Sequence, residues 1–154
     1  MTPQGQKNLK DILILHEGFR QFPYMDTTGH LTIGIGRNLN TRGISNNEAL
    51  NLLDDDIAYF SNKLSVELPY FNSLDDVRKI VLVNMCFNLG FNGLLEFKNM
   101  LDAIQKRKWE QAAANIISSK AYQQAPNRYR QLADMMQTGQ LSLPTNKTGE
   151  LMYA

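Results

Sequence analysis

The chain has 154 residues, 43% hydrophobic and 20% charged, with 10 glycines and 5 prolines; that is the make-up of one globular domain, or of two small lobes sharing a helix, and it excludes disordered and collagen-like chains. Sixteen Lys and Arg against fifteen Asp and Glu leave a formal net charge of +1, too weak a global field to hold a nucleic-acid backbone or an anionic membrane. The lone Cys86 excludes an intramolecular disulfide, and the apolar run at residues 12–15 is far shorter than a signal-peptide core or a membrane span, so neither export nor membrane insertion is expected.

Leu9, Ile12, Leu13 and His16 recur at helical spacing and stop at Gly18, which predicts an amphipathic helix over residues 6–17. After the turn-rich Asp26-Thr27-Thr28-Gly29, the residues Leu31, Ile33 and Ile35 alternate with Thr32 and Gly34, the pattern of a β-hairpin or small three-stranded sheet. Thr32 therefore lies on the face opposite Leu31 and Ile33, and it turns toward a cleft if those two enter the core. Residues 36–43 are polar and without period, as in a loop or an irregular strand.

Ser45-Asn46-Asn47-Glu48 has the form of a capping box. Leu50, Leu53, Ile57, Phe60 and Leu64 then keep a spacing of three and four, predicting a long helix to about residue 65 that links two lobes and stops ahead of Pro69. Ser73-Leu74-Asp75-Asp76 is a second capping signature. It precedes a segment apolar on nearly every face, from Val77 to Leu89, expected to be the buried central helix of the larger lobe. Gly90 and Gly93 break that helix; others are predicted over residues 94–105, 109–117 and 127–137, the last entered through Pro126, and the polar tail from residue 139 is expected to fray. The class is α+β, predominantly α: a small β lobe at 18–45, a linking helix at 46–66, a helical lobe from 1–17 and 67–139, and a tail at 140–154.

Glu17 closes the first helix, and Asp26 follows in the hairpin turn. Glycosidic cleavage needs two such carboxyl groups flanking a cleft: one protonates the leaving oxygen, while the other activates water or stabilises charge on the sugar ring. Spacing alone leaves Asp26 equally readable as a turn residue that accepts backbone hydrogen bonds. Other chemistries fare worse. His16-Glu17-Gly18-Phe19-Arg20 lacks the second histidine of a zinc helix, Gly34-Ile35-Gly36 has Leu39 where a dinucleotide fingerprint needs glycine, and His30 is the only other histidine. No metal and no cofactor is expected.

Leu15-His16-Glu17-Gly18, Asp26-Thr27-Thr28-Gly29 and Leu31-Thr32-Ile33-Gly34-Ile35-Gly36 resemble the active-site segment of phage lysozymes of the T-even type. Asn84-Met85-Cys86-Phe87-Asn88-Leu89-Gly90, Lys108-Trp109 with Ala112-Ala113, and Pro126-Asn127-Arg128 resemble the C-terminal lobe of the same family, in the same order. The resemblance implies a two-lobed lysozyme-like fold. It further implies a muramidase that cuts the β-1,4 bond between N-acetylmuramic acid and N-acetylglucosamine in peptidoglycan, with inversion, for host-cell lysis by a phage.

By that resemblance Glu17 matches the general acid, Asp26 the second carboxylate and Thr32 the residue that holds the attacking water, although Thr32 also reads simply as a β-branched strand former. Arg128 matches an arginine near the catalytic glutamate, or else it pairs structurally with the N-terminal helix. Asn88, flanked by Phe87, falls where relatives contact sugar, or it caps the helix ahead of Gly90. Arg37 stands where the family carries a histidine, so a pair with Asp56 that does not titrate near neutral pH is expected, unless Asp54-Asp55-Asp56 is a solvated face. Between Ala103 and Leu132, Lys106, Arg107, Lys108, Lys120, Arg128 and Arg130 stand against Glu110 alone and form either a cationic surface that steers the protein to the anionic wall or a scattered solvated face.

Peptidoglycan strands are the implied partner and a monomer the expected state. The protein would accumulate in the host cytoplasm and reach the wall, on the periplasmic side, through a separate holin-like protein. Two rivals stay open: a lytic transglycosylase, for which the glutamate alone is indispensable, and a non-catalytic peptidoglycan-binding virion component, whose mark would be loss of Glu17 or Asp26. Both acids are present.

Overall fold

The computed structural model describes residues 1–143. Among them are seven α-helices and one three-stranded sheet: α1 (Pro3–Glu17), β1 (Arg20–Met25), β2 (Leu31–Gly34), β3 (Arg37–Asn38), α2 (Asn46–Glu67), α3 (Asp76–Leu95), α4 (Lys98–Gln105), α5 (Trp109–Ile117), α6 (Lys120–Gln124) and α7 (Pro126–Thr138). This is the helix-dominated α+β class that the periodicities predict. The chain divides into two compact units, Met1–Asp54 and a second beginning at Asp55, with the boundary inside α2.

In the first unit, α1 starts at Thr2, whose hydroxyl accepts a hydrogen bond from the Gly5 N–H, and it has proline in its first turn, where an amide would lack a partner anyway. It ends at Gly18, which takes φ 75° and donates its N–H to the Ile14 carbonyl. The sheet is antiparallel in the order β1-β2-β3, with Tyr24 opposite Thr32, Met25 opposite Leu31 and Ile33 opposite Arg37. The polar stretch after Gly36 yields only the two-residue β3. The capping box forms as predicted: the Ser45 N–H donates to Glu48 Oε2 at 2.7 Å and the Glu48 N–H to Ser45 Oγ at 3.2 Å.

The condition attached to Thr32, that Leu31 and Ile33 enter the core, is not met. Thr32 is the single buried residue of this unit, whereas its neighbour Leu31 is exposed and Ile33 half-buried. Alternation decides which residues share a face, but not which face is covered.

The main core belongs to the second unit. Asp75 caps α3 by accepting the Arg78 N–H, and Val81, Leu82, Met85, Cys86 and Leu94 of that helix are buried. Val81, Leu82, Met85 and Leu94 each contribute about 1.5–3 kcal/mol of transfer free energy. Gly90 breaks the helix at φ 74°, ψ 162°, as the sequence predicts, but helical structure resumes to Leu95, so α4 starts later than expected. Met100, Ile116, Tyr129, Leu132 and Met136 close the core from α4, α5 and α7.

The side chain of Arg78 lies over the Trp109 ring, 3.9 Å from its centroid, and donates through Nε to Met136 O and through Nη2 to Gln137 O, so a cation neutralises the carbonyl end of α7. Trp109 thus serves as a packing surface for Arg78. Among the described residues no single helix is long and apolar enough to cross a membrane. Most of the tail predicted to fray, residues 144–154, lies outside the described residues.

Candidate active site

Glu17 is the last residue of α1, and Gly18, at positive φ, ends the helix just beyond it. Its carboxyl group lies against the backbone of Gly36. A methyl group added at Gly36 would come within 2.9 Å of Glu17 Oε2, 3.0 Å of Cδ and 3.1 Å of Cγ. Gly36 also takes φ 71°, a conformation that side-chain-bearing residues avoid. In the sequence this glycine shows only as strand punctuation; its role as the floor beneath the Glu17 carboxylate was missed, and no local pattern signals it.

Asp26 opens the turn between β1 and β2. Its Oδ1 accepts three hydrogen bonds, from the Thr28 N–H at 2.8 Å, the Thr28 hydroxyl at 2.7 Å and the His30 N–H at 2.8 Å. Among the described residues, Oδ2 accepts none. The His30 N–H, followed by the Thr28 hydroxyl, holds the carboxyl group below its ordinary pKa, against a smaller opposing effect of burial. The turn-residue reading and the carboxylate reading of Asp26 are therefore compatible, because the donors of the turn favour the ionised form.

Thr32, buried on β2, donates its hydroxyl hydrogen to the His30 carbonyl at 3.0 Å. The same carbonyl accepts the Asp26 N–H at 2.9 Å. Asp26 and Thr32 are thus tied to one peptide group. With its hydrogen committed, Thr32 Oγ1 can only accept from a further partner.

Arg37 departs from expectation. The carboxylate it holds is Glu48, not Asp56: Nη2 donates to Oε1 at 2.6 Å and Nη1 to Oε2 at 2.9 Å, with Nη1 also reaching the Gly43 carbonyl. The capping-box glutamate therefore has two duties, and the guanidinium, followed by the Ser45 N–H, draws its pKa down to about 2. The folded value lies below the ordinary one, so the stability this group contributes is complete above the ordinary carboxylate range and is lost as pH falls from 4.5 toward about 2. Glu48→Gln is accordingly expected to melt below the parent at pH 7, with the gap closing across that window. Melting curves that stay parallel down to pH 2 would contradict the linkage.

The other residues that the resemblance singles out lie in the second unit. Asn88, exposed on α3, accepts the Tyr129 hydroxyl at 2.5 Å through Oδ1 and keeps its amide N–H groups without a partner among the described residues. Phe87 packs its ring on Phe60 at 5.2 Å between centroids and is 40% exposed. Arg128 donates Nε to Asn84 Oδ1 at 2.9 Å and Nη2 to Asn84 O at 3.2 Å, which fixes its guanidinium along α3. Of the cationic set, Lys106 pairs with Asp102 and Arg130 donates to the Tyr122 hydroxyl.

The phage lysozyme family matches residues 15–134, from just ahead of Glu17 to beyond Arg128. The chain belongs to that family. A probable T4-type lysozyme 1 of Dictyostelium discoideum is 32% identical over 165 positions, covering 88% of this chain and 96% of its own, and a second from the same organism is 30% identical over 87% and 96%. The pre-baseplate central spike protein of Enterobacteria phage T4 is 26% identical across 87% of this chain, but that match takes up only 28% of the spike protein. As a phage lysozyme the chain is a glycoside hydrolase of the muramidase type, and peptidoglycan is its substrate.

Proposed function

We propose that this phage lysozyme cuts the β-1,4 bond between N-acetylmuramic acid and N-acetylglucosamine with inversion, using Glu17 as general acid and Asp26 as general base. The observation that carries the reading is the asymmetry between the two carboxyl groups of the first unit. Asp26 accepts three hydrogen bonds on one oxygen, which favour its ionised form, whereas Glu17 accepts no hydrogen bond among the described residues and lies on a bare glycine backbone.

In this scheme Glu17 gives its proton to the glycosidic oxygen as the bond from that oxygen to the muramic acid C1 breaks. Water attacks C1 from the opposite face, delivering hydroxide to carbon and a proton to Asp26 Oδ2. Thr32 Oγ1 accepts the water's second hydrogen, which aims an oxygen lone pair at C1. Solvent exchange then returns a proton to Glu17 and removes one from Asp26. Asn88, Phe87 and Arg128 serve as substrate contacts in the second unit, with the free Asn88 amide hydrogens as donors to sugar carbonyl or hydroxyl oxygens.

Mass spectrometry of a digest of purified peptidoglycan tests this. Fragments ending in a hydrated reducing muramic acid are expected; 1,6-anhydro ends would transfer the reading to a lytic transglycosylase. The physiological role proposed is host lysis, with accumulation in the cytoplasm and release to the wall by a holin-like protein. The likeness to a spike protein favours a second setting, in which a lysozyme unit rides in a virion. Immunoblots of purified particles against lysates separate the two.

A further inference from the structure

We propose that His30 is a positioning residue for Asp26, acting through the Thr28 hydroxyl in a one-way hydrogen-bond relay. The inference rests on the reading of Asp26 as the base and adds a residue to it. Thr28 Oγ1 lies 2.7 Å from Asp26 Oδ1 and 2.7 Å from His30 Nδ1. A hydroxyl has one hydrogen to give, and an ionised carboxylate can only accept. The Thr28 hydrogen therefore points to Asp26, and the second short contact requires a hydrogen on His30 Nδ1. In the neutral ring this selects the tautomer protonated at Nδ1 and leaves Nε2 with a lone pair. Protonation at Nε2 leaves the relay intact, because Nδ1 remains a donor in the cation.

The alternative tautomer fails on counting. A bare Nδ1 would compete with Asp26 for the single Thr28 hydrogen, and one of the two 2.7 Å contacts would set lone pair against lone pair. The ring also stands 3.9 Å from Asp26 Oδ1, and among the described residues Asp26 is the one charged group paired with it. The backbone of His30 acts on the same carboxylate: its N–H donates to Oδ1 and its carbonyl holds the Asp26 N–H and the Thr32 hydroxyl. With Oδ1 saturated, the carboxylate cannot turn, and Oδ2 is fixed as the atom that receives the proton from water.

Four variants and two spectroscopic readouts test the relay in the full chain. In the parent, long-range 15N–1H correlation is expected to show neutral His30 protonated at Nδ1. In Thr28→Val the 13C-detected titration of the Asp26 carboxyl group is expected to move up, and in Thr28→Ser to return to the parent position. Turnover of Thr28→Val and of His30→Leu should fall about fivefold to tenfold at unchanged KM, well short of the ~10²–10⁴ that a general base contributes as a whole. His30→Asn, whose side-chain N–H can stand where Nδ1–H stands, should recover most of that loss. Thr28 is exposed and the His30 side chain 42% exposed, so the fold tolerates these changes.

A neutral ring protonated at Nε2, an Asp26 titration unmoved by Thr28→Val, or an unchanged turnover in both Thr28→Val and His30→Leu overturns the proposal. The parent reading is judged separately. An Asp26→Asn variant as active as the parent removes the base itself, and the relay's catalytic role with it, whereas the tautomer and the titration report whether the relay exists.

Discussion

Glu17→Gln should lower turnover on peptidoglycan by about 10²–10⁴-fold while leaving the melting temperature close to the parent's, because it removes the transferable proton and little else. The carboxyl group accepts no hydrogen bond among the described residues, and Glu17 is exposed at the end of α1. An amide of the same shape fits against Gly36 as the carboxyl group does, so neither packing nor a hydrogen bond is forfeited. Clearing of permeabilised Gram-negative cells and thermal unfolding, measured on the same preparations, check both halves. A variant within a few-fold of parental activity would remove Glu17 from the acid's role. A large fall in melting temperature would show that the residue supports the fold instead.

Gly36→Ala is the second large effect, and Gly34→Ala supplies its control. Both glycines have positive φ, 71° and 67°, so alanine at either position strains the backbone by about 1–2 kcal/mol. Their surroundings differ. A methyl group at Gly34 meets nothing within 4 Å, whereas at Gly36 it comes within 2.9 Å of Glu17 Oε2. The two variants should therefore lose similar stability, but only Gly36→Ala displaces the acid. A shift of about 1 Å at a reacting group can cost roughly 10²-fold in rate, and that is the loss expected at Gly36, with Gly34→Ala near the parent. Equal losses of activity in the two variants would assign the effect to backbone strain and dissolve the link between Gly36 and Glu17.

The parts of the fold legible in the sequence are those set by local chemistry. Gly18, the Ser45 and Glu48 box, Asp75 and Pro126 each mark a helix end because the groups that satisfy a free amide or permit a left-handed turn lie within four residues of it. Helix α5 falls on the residues its periodicity predicts. Helix α6 was not foreseen, since five residues are too few to display a period.

Choices made by tertiary contact were not legible. The strand alternation around Thr32 could not say which face is covered. Analogy with a family histidine points Arg37 to Asp56, yet a planar guanidinium takes both oxygens of Glu48, a residue already brought close by the capping box. Arg78 gave no local sign that it would close the end of α7, because its partners lie 58 and 59 positions along the chain. At the candidate site the two acids are visible as residues. What distinguishes them, three donors on one and a bare glycine beneath the other, comes from the turn after Asp26 and from the left-handed bend at Gly36.

The most direct measurement of the account is the anomeric form of the first product. Proton NMR of a fresh digest, taken before mutarotation, reads the configuration at the new muramic acid reducing end. Attack by water assisted by Asp26, on the face opposite the leaving oxygen, predicts the α anomer from the β bond. A first product in the β configuration would mean displacement through a covalent or substrate-assisted intermediate, and would contradict Asp26 as the base that activates water.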